Sequence, residues 1–191
     1  LIRSRGLGDV YKRQELEGKL AVICGSTQGI GFESAKLMAS RGASVVLVAR
    51  NEEKLKVALT GLDASHGQKH QFLVADFSKP SELKEVLEGF TAAGNEPTIL
   101  VNNTGGPKGG LIIDADPQEF LDAFNQHLIC NHILVQSLVP GMKKNGGGSI
   151  INVISTSVKQ PLNNLGVSNT IRGAVANWSK TMANELGQFS I

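Results

Sequence analysis

Tyrosine occurs once in 191 residues, at Tyr11; there is one tryptophan, two cysteines and six prolines. Cys24 and Cys130 lie far apart, form no C-x-x-C pair and have no histidine at ligand spacing. They indicate neither a zinc site nor a disulfide framework and read as reduced, buried thiols. Long apolar runs are also missing. Stretches such as Ala43 to Ala49 are strand-length, far below the ~20 residues that cross a bilayer, and no apolar signal-like segment begins the chain. The expectation is a soluble, cytoplasmic protein without a membrane partner.

A large excess of either charge is lacking as well. The formal net charge is +2, but residues 1–14, LIRSRGLGDVYKRQ, hold Arg3, Arg5, Lys12 and Arg13 against Asp9, a net of +3 that leaves −1 on residues 15–191. That opening segment has no initiating Met and no hydrophobic periodicity. It resembles translated sequencing-adapter read-through and is set aside as a non-native leader, with a disordered native leader as the alternative. Without it there is no basic patch of the kind that binds nucleic acid.

What is present fits one α/β domain over residues 15–191. Short β-branched runs alternate with amphipathic helices, the signature of repeated βαβ units around a doubly wound parallel sheet. The expected strands are 20–24, 44–49, 70–75, 98–103 and 149–155, apolar enough to be buried on both faces. Leu55, Ala58, Leu59 and Leu62 form one helical stripe behind Asn51 as N-cap, and Leu83, Val86, Leu87 and Phe90 form another. Asp116, Pro117 and Glu119 read as a capping box that opens a fourth helix, and Gly42 as the stop of the first.

Directly after the first strand comes CGSTQGIG, with Gly25, Gly29 and Gly31 at G-x-x-x-G-x-G spacing ahead of a helix. Such a turn lets a pyrophosphate approach backbone N–H groups at a helix N-terminus, where the helix dipole favours an anion. Gly25, Ser26, Thr27, Gln28, Gly29, Ile30 and Gly31 are therefore candidate cofactor-binding residues. At the end of the second strand, VARNEEK has Ala49 then Arg50 and no carboxylate. A free ribose 2′-hydroxyl is usually met there by an acid and a 2′-phosphate by a cation, so NADP(H) is favoured over NAD(H), against the alternative of a solvated surface arginine.

This turn, together with NNTGG at 102–106, resembles the short-chain dehydrogenase/reductase family, which carries a similar glycine turn and an N-N-A-G after the fourth strand. The resemblance runs from about residue 17 to the end. It implies a Rossmann-like sheet of order 3-2-1-4-5, with the family's last strands missing from a chain that reads as a fragment. It also implies that Asn103 ties the central strands and lines the cleft with Gly105, and that Asp76 meets the adenine, unless Asp76 is an ordinary helix-start carboxylate.

The family's catalytic set is similar to a Ser, a Tyr-x-x-x-Lys thirteen residues later, and an Asn on the preceding helix. Here Ser155 lies thirteen residues before Ser168, Arg172 follows four later, and counting back along the fourth helix puts His127 at the Asn position, with Asn125 and Asn131 flanking it and a one-turn slip as the alternative. An alkyl hydroxyl cannot replace a phenol as an acid, and arginine does not exchange protons in practice. Ser155 and Ser168 are thus assigned to hydrogen bonding a substrate oxygen, and Arg172 to cofactor or carboxylate binding. His127 is the substitute acid or else a core histidine, with Lys159 as a second donor candidate. No histidine pairing suggests a metal site. The resemblance implies an oxidoreductase passing hydride between nicotinamide and a small-molecule carbonyl or alcohol, 3-oxoacyl reductase-like in its nearest analogy; the alternative is a silent dinucleotide-binding sensor or assembly partner. The apolar face Ala174, Val175, Trp178, Met182 and Leu186 suggests a homodimer or homotetramer, or else core burial.

Overall fold

The computed structural model describes residues 16–191. The expected leader, including Tyr11, lies outside the described residues. Five strands, β1 (Leu20–Cys24), β2 (Ser44–Ala49), β3 (Gln71–Val74), β4 (Ile99–Asn102) and β5 (Ser149–Asn152), form one sheet. All its pairings are parallel and its order is β3-β2-β1-β4-β5. The connecting helices are α1 (Gly29–Ser40), α2 (Glu52–Thr60), α3 (Pro80–Ala92), α4 (Pro117–Phe124), α5 (Cys130–Lys144) and α6 (Gly166–Leu186).

Side-chain alternation divides the core into two layers. On one face Ala21, Ile23, Val45, Leu47 and Val101 pack against Ala35 and Ala39 of α1 and Leu55 and Ala58 of α2. On the other, Val22, Cys24, Val46, Val48 and Leu100 meet Leu83, Leu87 and Phe90 of α3 and Leu134, Leu138 and Met142 of α5. Both faces of the central strands are covered, which is why their sequences read as nearly unbroken apolar runs. Cys24 and Cys130 are free and fully buried, and burial pushes both thiols upward in pKa. No helix among the described residues is long and apolar enough to cross a membrane.

The sheet's edges depart from expectation. β5 is an edge strand with Ser149 and Ile151 exposed, so burial on both faces does not hold there. It also ends at Asn152 rather than 155, because Ser155 turns out of the sheet to cap the short 3-10 turn Thr156–Val158, accepting a hydrogen bond from the Ser157 N–H. β3 starts one residue later than expected because the His70 side chain, not its backbone, meets β2: Val45 N–H donates to His70 Nδ1 at 3.1 Å.

The helix signals mostly hold. Asn51 accepts from the Lys54 N–H, and Gly42 follows α1 at φ +92°. Asp116 caps α4 through the Gln118 N–H, one position earlier than a capping box requires, and no return bond from the Glu119 carboxylate is present among the described residues. α4 and α5 run on through a π turn at Asn125–Ile129 that the periodicity did not indicate. Of the apolar stripe of α6, Val175 is buried, while Trp178, Met182 and Leu186 are only partly buried where they pack on the core beside α5, so core burial takes up part of that face.

Candidate functional site

A cleft of about 640 Å³ opens at the C-terminal ends of β1, β2, β3 and β4, where the loops leaving neighbouring strands diverge. Its wall carries Gly25, Thr27, Gln28, Gly29 and Ile30 from the turn into α1, Arg50 and Lys54 beside β2, Asp76 after β3, and Asn103, Thr104 and Gly105 after β4; Gln126 lies at its margin on the π turn. Most sequence-predicted binding residues therefore share one cavity.

Two members of the glycine turn allow close packing. A Cβ on Gly31 would lie 2.4 Å from the Gly25 carbonyl oxygen, and one on Gly25 would lie 2.6 Å from the Asn103 carbonyl oxygen. These glycines let α1 and the β4 loop close onto the turn. Asn103 completes the junction, its Nδ2 donating to Cys24 O at 3.2 Å and Gly25 O at 3.3 Å. Gly29 differs: at φ +57° it opens α1, and a Cβ there would meet nothing within 4 Å. Among the described residues no side chain caps this helix start, which borders the cleft. Its first N–H groups are available to an anion.

Ser26 corrects the sequence reading. It is fully buried and off the cleft wall, and its hydroxyl accepts from the Val48 N–H at 2.9 Å. It staples the turn to β2 instead of facing a ligand. Arg50 is exposed and makes no ion pair among the described residues, and Lys54, one turn along α2, adds a second cation that sequence reasoning missed. Asp76 is held below the usual carboxylate range, first by the Ser78 backbone N–H and then by the Ser78 hydroxyl and the charges of Arg50 and Lys79.

The residues assigned to catalysis stand elsewhere. Ser168 and Arg172, one turn apart on α6, are 8% and 7% exposed and border no part of the cleft. Arg172 Nη1 donates to Val153 O at 3.1 Å; no carboxylate meets it among the described residues, and burial lowers its pKa. Ser155 is committed to its 3-10 turn, and Lys159 is exposed beyond it. His127 lies in the π turn with no exposed surface, so it cannot touch a substrate directly. Burial, and secondarily the Arg172 charge, push its pKa down to about 4. Its Nδ1 is 2.6 Å from the Thr104 hydroxyl, whereas its Nε2 has no partner among the described residues.

Other polar contacts brace the site from below. Asn102 Nδ2 donates to Asn152 Oδ1 at 2.7 Å, and Asn152 Nδ2 donates to Ser179 Oγ at 2.9 Å, linking β4, β5 and α6. The loop after β4 is tied to the start of α6 by Gly110 N–H to Asn164 O and Gly166 N–H to Gly110 O. No group of three metal-binding side chains occurs among the described residues.

Residues 19–191 match the family model described as short chain dehydrogenase. Among curated relatives, hydroxysteroid dehydrogenase-like protein 1 of Gallus gallus is 33% identical over 80% of this chain and 46% of its own length. The Homo sapiens form, named inactive, is 29% identical over 88% of this chain and 51% of its own. The 3-oxoacyl-[acyl-carrier-protein] reductase of Vibrio cholerae is 31% identical over 90% of this chain and 68% of its own. The chain thus spans about half the length of the first two. L-sorbose reductase of Gluconobacter frateurii, solved with NADPH and L-sorbose, superposes with a TM-score of 0.86 at 33% identity, covering 92% of this chain and 66% of that one. With the sheet order, the glycine turn and the Asn103 junction already in place, the match makes this chain a member of the short-chain dehydrogenase family.

Proposed function

We propose that the protein is an NADP(H)-dependent oxidoreductase acting on a small carbonyl or alcohol substrate. The observation that carries the reading is the pairing, in one cleft, of an uncapped helix N-terminus with two cations, Arg50 and Lys54, where a 2′-hydroxyl would call for a carboxylate. The first N–H groups of α1 would hold the pyrophosphate, Arg50 and Lys54 the 2′-phosphate, and Asp76 the adenine side. Asn103, Thr104 and Gly105 would wall the inner end. The bound cofactor supplies or accepts hydride at its nicotinamide ring. A 3-oxoacyl substrate is a finer form of this reading, supported by the name of the Vibrio cholerae relative.

The test is a fluorescence titration of NADPH and NADH. NADPH is expected to bind more tightly, and Arg50→Ala to lose about 10- to 100-fold in NADPH affinity with little change for NADH, the loss of one charged hydrogen-bonding partner. Equal losses for both cofactors would reject the assignment.

A second reading, a silent dinucleotide-binding protein, is favoured by the burial of Ser168, Arg172 and His127 away from the cleft, and by the inactive name of the human relative. NADPH consumption measured beside NADPH binding, over a panel of carbonyls and alcohols, separates the two. Binding with no turnover on any substrate selects the silent protein.

A further inference from the structure

His127 and Thr104 lie 23 residues apart, yet they share the shortest hydrogen bond in the site, 2.6 Å between Thr104 Oγ1 and His127 Nδ1. Either group could be the donor. If the Thr104 hydroxyl donated inward, the neutral ring would carry its proton on Nε2. That nitrogen is buried and has no partner among the described residues. An orphaned buried N–H is among the rarest features of folded proteins, and this one would add a second positive pole to a ring already under the field of Arg172. The opposite arrangement places the proton on Nδ1, donates it to Thr104 Oγ1, and leaves only a lone pair at Nε2.

That choice fixes the direction of the Thr104 proton. With Oγ1 accepting from the ring, its own O–H must point away from His127. Thr104 is half-buried on the cleft wall, so the direction left to it is toward the cleft. We propose that Thr104 is a directed hydrogen-bond donor to a carbonyl oxygen bound at the inner end of the cleft, and that His127 is the positioning residue that aims it. The inference rests on the dinucleotide reading of the cleft. The acceptor is either the nicotinamide carboxamide or the carbonyl of the substrate. Thr104 and His127 stand where the family pattern has Ala and Asn, so two separate departures from it become one hydrogen-bonded pair.

Two measurements on the full chain test this. Long-range proton–nitrogen spectra of protein labelled with ¹⁵N-histidine, with His127→Asn identifying the signals, should show His127 protonated on Nδ1 and bare on Nε2, unchanged from pH 8 to pH 5. A proton on Nε2 overturns the proposal. Next, Thr104→Val, which keeps the shape and removes the hydroxyl, is compared with Thr104→Ser, which restores it. Val should cost roughly 5-fold or more, and Ser little, in one of two places. Weaker NADPH binding identifies the carboxamide; a lower kcat/KM with NADPH affinity intact identifies the substrate carbonyl. A Val variant equal to wild type in both overturns the proposal. If the wild-type chain binds no NADPH, the dinucleotide reading fails, and the tautomer alone decides the inference about the Thr104 proton.

Discussion

At the scale of single residues, the site is built around groups that cannot all be satisfied at once. Among the described residues Arg172 is a buried cation with one hydrogen bond and no carboxylate, and His127 is a buried ring that the same charge helps to keep neutral. The consequence is a pH dependence of a definite sign. In the unfolded chain the ring takes a proton near its ordinary pKa of about 6.5; in the folded protein it does so only at about 4. As pH falls between these values the unfolded state gains protons that the folded state refuses, and stability is lost. Above the upper value the ring is neutral in both states and contributes no dependence; below the lower one the loss stops growing. At full development the term is on the order of 3 kcal/mol. Urea unfolding at pH 7 and pH 4.5 should show a smaller pH difference for His127→Asn than for wild type. Identical differences would assign the acid sensitivity to carboxylates instead. Little of this was legible beforehand. Position counting reached His127 and Arg172, but their shared burial depends on how α6 docks against the π turn. Ser26 misled for the opposite reason: its place in the turn suggested the cleft, while the fold spends its hydroxyl on Val48.

At the scale of elements, periodicity was a good guide wherever one face is buried. The stripes on α2 and α3 point inward as expected: Leu55, Ala58, Leu83, Leu87 and Phe90 are all buried. It failed where side chains replace backbone pairing or where pairing stops. His70 substitutes for a strand residue at the start of β3, and β5, at the sheet edge, keeps an apolar sequence with Ile151 exposed. The π turn was not signalled by the apolar pattern, and such bulges often mark functional sites. Caps link these elements to the cleft. Asn51 Oδ1 accepts from the Lys54 N–H at 2.9 Å, so it fixes the first turn of α2 and the backbone that carries a cleft cation. Asn51→Ala should cost about 1 kcal/mol in urea unfolding and a few-fold in NADPH affinity. Stability lost with no change in affinity would mean that the α2 start folds correctly on the ligand without its cap.

At the scale of the whole molecule, strand order explains why one cavity gathers residues from positions 25 to 126. The chain moves outward from β1 to β2 and β3, then returns across β1 to β4, so the loops at that crossing part and leave a cleft bordered by four strand ends. A ligand seated there bridges both halves of the sheet and is bound only by the folded state. Its binding therefore stabilises the whole domain by mass action, by about 2.7 kcal/mol at a concentration 100 times its Kd. For a domain of this size that corresponds to a rise of roughly 5–10 °C in Tm. If Arg50 and Lys54 receive a 2′-phosphate, NADH at the same concentration, binding 10- to 100-fold more weakly, should raise Tm by only roughly 1–5 °C. Arg50→Ala should bring the two shifts together by lowering the one from NADPH. The comparison needs no substrate and no turnover, so it reads cofactor choice even in a silent protein. Equal shifts for NADPH and NADH in the wild-type chain would remove the 2′-phosphate assignment and leave the cleft as a dinucleotide site without preference.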